Sequence, residues 1–188
     1  MNKSELKNIA ERLIETFDIA GQVSIDLFSK GLKIEIKSDN SPVSNGDLAC
    51  NKLITNKILE LTPNIPIVSE ETVNLNIKNK NKIFWLIDPI DGTREYIAGK
   101  DEYTLNAALV INKVPSIGLV GAPKKKQLFY SYGEGDSYLI ENNKKTKNNC
   151  SKKTPKNEIV ALSSSAHPSD EIMNELMTEV YVEQPRLH

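Results

Sequence analysis

Asp88-Pro89-Ile90-Asp91-Gly92-Thr93 is the segment of this chain best equipped for chemistry. It sets two carboxylates three positions apart, stiffened by Pro89, at the end of the apolar run Ile83-Phe84-Trp85-Leu86-Ile87. Both acids can then open into one cavity at the mouth of a strand. Carboxylate and carbonyl oxygens are hard donors, suited to Mg²⁺ rather than to zinc or copper. Gly92 and Thr93 lead into a short helical stretch, 93–98, whose first amides can receive phosphate oxygens. An Asp-Pro or Asp-Gly pair alone is an ordinary turn, so this reading depends on companions. Glu70-Glu71 follows another apolar piece, 65–69, and can bring a third acid to the cavity, although paired glutamates taken alone are a solvated surface. Ser44-Asn45-Gly46-Asp47 has the spacing of a helix capping box. By itself that is a helix start; in this company Asp47 can also orient Thr93 or a water.

The elements that must position these groups follow from periodicity. Apolar residues recur every three or four positions from Leu6 to Leu27, which predicts a long amphipathic helix over 4–28. Alternation at Ile34 and Ile36 predicts a half-buried strand over 33–37, broken by Ser38-Asp39-Asn40-Ser41-Pro42. A second helix is predicted over 44–61, with Leu48, Ile54, Ile58 and Leu61 on its apolar face and Thr62-Pro63-Asn64 stopping it. The polar segment 72–82 reads as a mobile loop. Strands over 104–112, 116–121, 127–132 and 137–140, joined by turns that include Lys113-Val114-Pro115, read as an antiparallel meander. Trp85 belongs to the core, Tyr96 and Tyr103 read as packing, and Lys124-Lys125-Lys126 reads as a solvated loop. The result is an α+β fold, with two long helices packed on an antiparallel sheet in a layered α-β-α-β sandwich. Three parts are expected: a metal- and phosphate-binding domain over 1–142, a linker over 143–157, and the start of a second α/β domain over 158–188.

Composition limits the remaining classes. With 39% apolar and 26% charged residues in 188 positions, the chain can build a core, which excludes a disordered or fibrous protein. A net charge of −1 argues against a nucleic-acid polymer as partner, because neutralising many phosphates needs a basic excess. Cys50 and Cys150, a hundred residues apart and without CxxC, exclude a thiolate zinc site and fit reduced thiols. The start of the chain has no secretory h-region, and its longest apolar run is too short for a membrane span. A cytoplasmic location is therefore expected.

Lys37-Ser38-Asp39-Asn40-Ser41-Pro42-Val43-Ser44 with Asp47, then Ser69-Glu70-Glu71, then Trp85-Leu86-Ile87-Asp88-Pro89-Ile90-Asp91-Gly92-Thr93 together resemble the inositol monophosphatase superfamily of Mg²⁺-dependent, lithium-sensitive phosphatases. Arg94-Glu95-Tyr96-Ile97 looks like its 3′(2′),5′-bisphosphate nucleotidase branch, and Ser163-Ser164-Ser165-Ala166-His167 is similar to that branch's substrate segment. The resemblance implies that Glu70, Asp88, the Ile90 carbonyl and Asp91 hold two or three Mg²⁺ ions. It implies that Glu70, Ile90, Asp91, Gly92 and Thr93 border the substrate phosphate, while Asp47 with Thr93 activates the attacking water. Ser164 and His167 would contact the nucleotide, though His167 before Pro168 also suits a helix cap.

The implied reaction hydrolyses a small phosphate ester, 3′-phosphoadenosine 5′-phosphate, to AMP and phosphate. An inositol or sugar monophosphatase of the same superfamily and an inactive remnant remain the alternatives. The family's second domain supplies a further Asp in a Trp-Asp-x-Ala-like motif, and the single tryptophan here, Trp85, is not in one. A C-terminally truncated member is thus expected, with apolar faces left uncovered and a homodimer as one partner state.

Overall fold

The computed structural model describes residues 1–72 and 82–148, which belong to a unit running from Met1 to Asn149. Helix α1 (Lys3–Lys30) opens with a capping box in which Asn2 accepts from the Glu5 amide and the Glu5 side chain accepts from the Asn2 amide. Its stripe of Leu6, Ile9, Ala10, Leu13, Phe17 and Ala20 is buried. A short hairpin of β1 (Ile34–Ile36) and β2 (Pro42–Ser44) leads into α2 (Asn45–Leu61). There the predicted half-burial fails: Ile34 and Ile36 are both exposed, because this two-stranded sheet lies apart from the main one and gives them nothing to pack on. Leu48, also predicted to face the core, is exposed; the buried side of α2 carries Asp47, Cys50, Asn51, Ile54 and Ile58. Two polar residues on that side had disguised it.

Strands β3 (Ile67–Ser69), β4 (Ile83–Asp91), β5 (Thr104–Ile111), β6 (Val114–Ala122), β7 (Gln127–Tyr132), β8 (Ser137–Glu141) and β9 (Lys144–Lys147) form one sheet in that spatial order. A single turn of 3₁₀ helix (Glu70–Thr72) follows β3, and the short helix α3 (Thr93–Ile97) follows β4. The β3/β4 pair is parallel, and every other pair is antiparallel. The sheet is therefore a mixed one whose meander runs from β4 onward.

Helices α1 and α2 pack on each other and on one sheet face, where Trp85, Ile87, Leu105, Leu109, Ile117, Leu119 and Leu128 close the core. Burying each such side chain contributes on the order of 1.5–3 kcal/mol. Trp85 is fully buried, as predicted, and its indole N–H donates to Thr62 Oγ1 at 3.0 Å. On the opposite sheet face Leu86, Val120 and Phe129 are exposed. Among the described residues no helix is long and apolar enough to cross a membrane.

Two hairpins depart from the sequence reading. Asn112 and Lys113 both take left-handed φ angles, +51° and +69°, and make a two-residue turn between Ile111 and Val114. Val114 and Pro115 therefore lie in β6 rather than in the turn, and Pro115 sits beside a register shift that tolerates its missing N–H. Asn142 and Asn143 repeat the device at φ +50° and +62°. They join β8 to β9, so residues 144–147, read above as linker, form an edge strand. Its Lys-Lys-Thr-Lys sequence is exposed throughout and has no apolar alternation to reveal it; lysine on an edge discourages further strand pairing.

Candidate active site

The acidic segment owes its geometry to a bulge. In a regular strand side chains alternate, so residues three apart point to opposite faces. Asp88 pairs with Asn106 and Asp91 with Thr104, so three steps along β4 span two along β5. The extra residue turns Asp91 back to the face of Asp88. Residues in register leave a sheet on the same side, which places Asp88, Asp91, Thr104 and Asn106 together, away from the helices. Asn106 Nδ2 donates to Asp91 Oδ2 at 3.1 Å across this pair.

Asp47 is fully buried at the start of α2 and accepts three hydrogen bonds. Ser44 N and Ser44 Oγ donate to its Oδ2 at 2.8 and 2.6 Å, and Thr93 Oγ1 donates to its Oδ1 at 3.0 Å. The capping box read from the sequence is present, since Ser44 Oγ also accepts from the amides of Gly46 and Asp47. The expected pairing of Asp47 with Thr93 spans 46 positions of sequence and is direct. The Thr93 hydroxyl is also 3.1 Å from the Ile90 carbonyl, which ties the bulge to the start of α3.

Gly92 caps α3 with φ +90°, and a Cβ there would lie 2.9 Å from the Glu102 carbonyl. Both facts exclude a side chain. Tyr96 and Tyr103 are buried in the core. Tyr96 donates to the Ser24 carbonyl at 2.6 Å, and the Tyr103 hydroxyl lies 2.9 Å from Ser24 Oγ. The Tyr96 ring closes over Gly46, where an added Cβ would come within 2.5 Å of its hydroxyl oxygen. Gly46→Ala is expected to lower stability by about 1–3 kcal/mol, the usual cost of overpacking. Thermal unfolding of the variant checks this, and an unchanged midpoint would show that the ring gives way freely.

Glu70 and Glu71 divide between two environments. Lys37 Nζ reaches Glu70 Oε1 at 3.3 Å and Glu71 Oε1 at 3.0 Å. Glu71 is the buried one of the two, and burial pushes its carboxyl above the usual range despite the lysine. Sequence reasoning missed Lys37 as a partner, although its place at the head of the Lys-Ser-Asp-Asn-Ser-Pro segment was the available signal. Asp88 is raised to about 7, first by burial, then by the charges of Glu70 and Asp91 and by a hydrogen bond with Glu70 that favours its protonated form. Among the described residues its Oδ1 is buried without a partner.

Among the described residues no three Asp, Glu, His or Cys side chains converge tightly enough to enclose a metal ion. Lys37 engages Glu70, and Asn106 engages Asp91. The donor chemistry nonetheless fits a hard divalent cation: crowded carboxylates, one of them with an orphaned buried oxygen, beside a bulge carbonyl. Ser164 and His167, with the strand and helix expected at 158–163 and 169–180, lie outside the described residues. A separate cleft of about 730 Å³ between α1 and the β6/β7 end, lined by Phe17, Gly21, Ile25, Pro123, Lys126 and Asn142 among others, contains none of the predicted site residues.

Residues 4–185 match the inositol monophosphatase family. The chain is 33% identical over 136 residues to the 3′(2′),5′-bisphosphate nucleotidase CysQ of Escherichia coli O157:H7, covering 72% of this chain and 51% of that protein. It is 32% identical over 126 residues to the enzyme of the same name from Haemophilus influenzae, covering 64% of this chain and 47% of the relative. It thus spans about half the length of these curated relatives. The crystal structure of CysQ from Bacteroides thetaiotaomicron superposes with a TM-score of 0.68 at 25% identity, over 97% of this chain and 71% of that one. An IMPase/NADP phosphatase complexed with Mg²⁺ and phosphate shares the fold, with a TM-score of 0.64 at 19% identity over 71% of this chain and 51% of its own.

Proposed function

The chain belongs to the inositol monophosphatase family, and from that premise we propose that it is a Mg²⁺-dependent phosphomonoesterase of the 3′(2′),5′-bisphosphate nucleotidase type. The substrate in this reading is an adenosine bisphosphate, cleaved to AMP and inorganic phosphate. The observation that carries the proposal is the bonded pair Thr93–Asp47, set beside the acids that the bulge gathers on one face.

Glu70, Asp88, the Ile90 carbonyl and Asp91 would hold the cation. When bound, Mg²⁺ supplies charge neutralisation for the phosphoryl oxygens and lowers the pKa of water. Thr93 Oγ1 donates its proton toward Asp47, which leaves its lone pairs to accept from the attacking water. As that water's oxygen bonds to phosphorus, its proton passes to Thr93 and the Thr93 proton passes to Asp47. The phosphorus–ester bond then breaks, and the leaving oxygen takes a proton from solvent. Ser44 holds Asp47 from behind through two donors, so the acceptor keeps one orientation throughout. Gly92, at φ +90°, lets the chain turn tightly into α3, whose first amides would face the phosphate.

Ser164 and His167 are proposed to contact the nucleotide, and the segment 158–188 to begin a second α/β domain after the first, whose sheet runs on through β9 to Lys147. The names of the relatives support the substrate class, and their greater length makes activity a property to measure on this chain itself. Phosphate release with Mg²⁺ from adenosine 3′,5′-bisphosphate, inositol 1-phosphate and fructose 1,6-bisphosphate is the test. The nucleotide is expected to be preferred by at least about tenfold, which is 1.4 kcal/mol of discrimination. Preference for inositol phosphate would overturn the nucleotidase reading, and no release from any of the three would overturn the enzymatic one.

A further inference from the structure

Asn106 stands in the middle of the acidic face, and the chemistry above gives it no task. It pairs in register with Asp88, so the two side chains leave the sheet together. Its amide nitrogen donates to Asp91 Oδ2 at 3.1 Å. Among the described residues its amide oxygen is buried without a partner, and so is Asp88 Oδ1 on the residue directly opposite. Two acceptors cannot satisfy one another. Turning the amide over would set its carbonyl against the Asp91 carboxylate. As it stands Asp91 receives the N–H, and among the described residues neither the Asn106 amide oxygen nor Asp88 Oδ1 has a donor. A molecule with two O–H bonds resolves the conflict, and water is the smallest that does.

We infer that Asn106 is a positioning residue of the cation site. Its amide fixes one carboxylate by donating to it, and its oxygen shares a water with the other. Mg²⁺ gives up its hydration shell reluctantly and keeps several waters when protein-bound, so a water held between Asn106 and Asp88 belongs naturally to that shell. Asn106 thus acts on the ion through Asp91 and through this water. The inference rests on the Mg²⁺-dependent reading proposed above.

The test is Mg²⁺ binding by the 188-residue chain, read by calorimetry and by the Mg²⁺-induced rise in unfolding temperature, for the wild type, Asn106→Ala and Asn106→Ser. Asn106→Ala is expected to weaken Mg²⁺ binding about tenfold, the lower end of the cost of removing an outer-shell partner. Its cation-free unfolding temperature is expected to stay level or rise, because a buried unsatisfied acceptor has gone. Asn106→Ser keeps a small donor and acceptor and is expected to lose less affinity; it also carries the test if the alanine variant does not fold. A purely structural asparagine predicts the reverse, with lower cation-free stability and unchanged affinity, and that result overturns the inference. A wild type that does not bind Mg²⁺ brings down the proposed function and the inference with it. A wild type that binds, beside variants that bind equally well, removes the inference alone.

Discussion

Asp47→Asn is expected to reduce phosphate release about a thousandfold while leaving Mg²⁺ binding within a factor of two or three. General-base contributions of about 10²–10⁴ set this scale. The substitution keeps the size of the side chain but replaces one acceptor oxygen by an N–H₂ donor. All three present partners of Asp47 donate, so the new amide meets either Ser44 or Thr93 as donor against donor. If it meets Thr93, that hydroxyl turns wholly to the Ile90 carbonyl, 3.1 Å away, and has nowhere to pass a second proton. If it meets Ser44, the capping box opens at a cost of about 1 kcal/mol. The two arms separate in the laboratory. Steady-state phosphate release reports the first, and thermal unfolding without substrate reports the second. Retention of more than a tenth of wild-type turnover would remove Asp47 from the proton path.

Asp88→Asn is expected to act on binding and stability with opposite signs. Loss of one proposed ligand oxygen at the centre of the acidic face should weaken Mg²⁺ affinity about a hundredfold or more, the upper end of what outer-shell changes alone produce. The cation-free protein should gain stability at alkaline pH. Asp88 titrates near 7 because it is buried and faces Glu70 and Asp91. Its folded pKa lies above its unfolded value of about 3.9, so the native state binds the extra proton. The contribution of Asp88 to the stability of the cation-free wild type therefore falls as pH rises from about 4 through 7, and levels off beyond. In Asp88→Asn the same span should be flatter, because the neutral amide donates to Glu70 much as the protonated acid does.

Cation binding is expected to invert the wild-type trend. The site must lose that proton to bind, so affinity rises with pH, by about tenfold between pH 6 and pH 8 for a single group titrating near 7. Unfolding temperatures at pH 5, 6, 7 and 8, with and without Mg²⁺, measure all of this in one series. A cation-free wild type that grows more stable from pH 5 to pH 8, by an amount that Asp88→Asn abolishes, would contradict the placement of Asp88.

The two variants also show what the sequence made legible. The capping box at Ser44 and Asp47 was readable because its donors and acceptors lie within one helical turn. The long helix α1 announced itself through a stripe of apolar residues, and Trp85 through its run of apolar neighbours. Local rules failed where partners were remote. Ile34 and Ile36 alternate correctly with charged residues, yet no layer among the described residues covers them. Leu48 is apolar and exposed while Asp47 is polar and buried, since a carboxylate with three donors is satisfied in the interior. The edge strand β9 went unseen because an edge is protected by lysines that look like a linker.

By itself the sequence determined the chemical inventory: hard oxygen donors, a hydroxyl three residues after the Ile90 carbonyl, and a glycine where the backbone must turn. It also determined the helices, whose signals repeat every few residues. The tertiary structure decided which of these groups meet. Asp88 and Asp91 share a face only because β4 takes three steps against two of β5, a parity set by the pairing partner. Thr93 meets Asp47 only because α2 and α3 converge across the Tyr96–Gly46 contact. Asn106 entered the site for the same reason. Its neighbours come from strand register, and register is a property of two strands together, so a single stretch of sequence does not contain it.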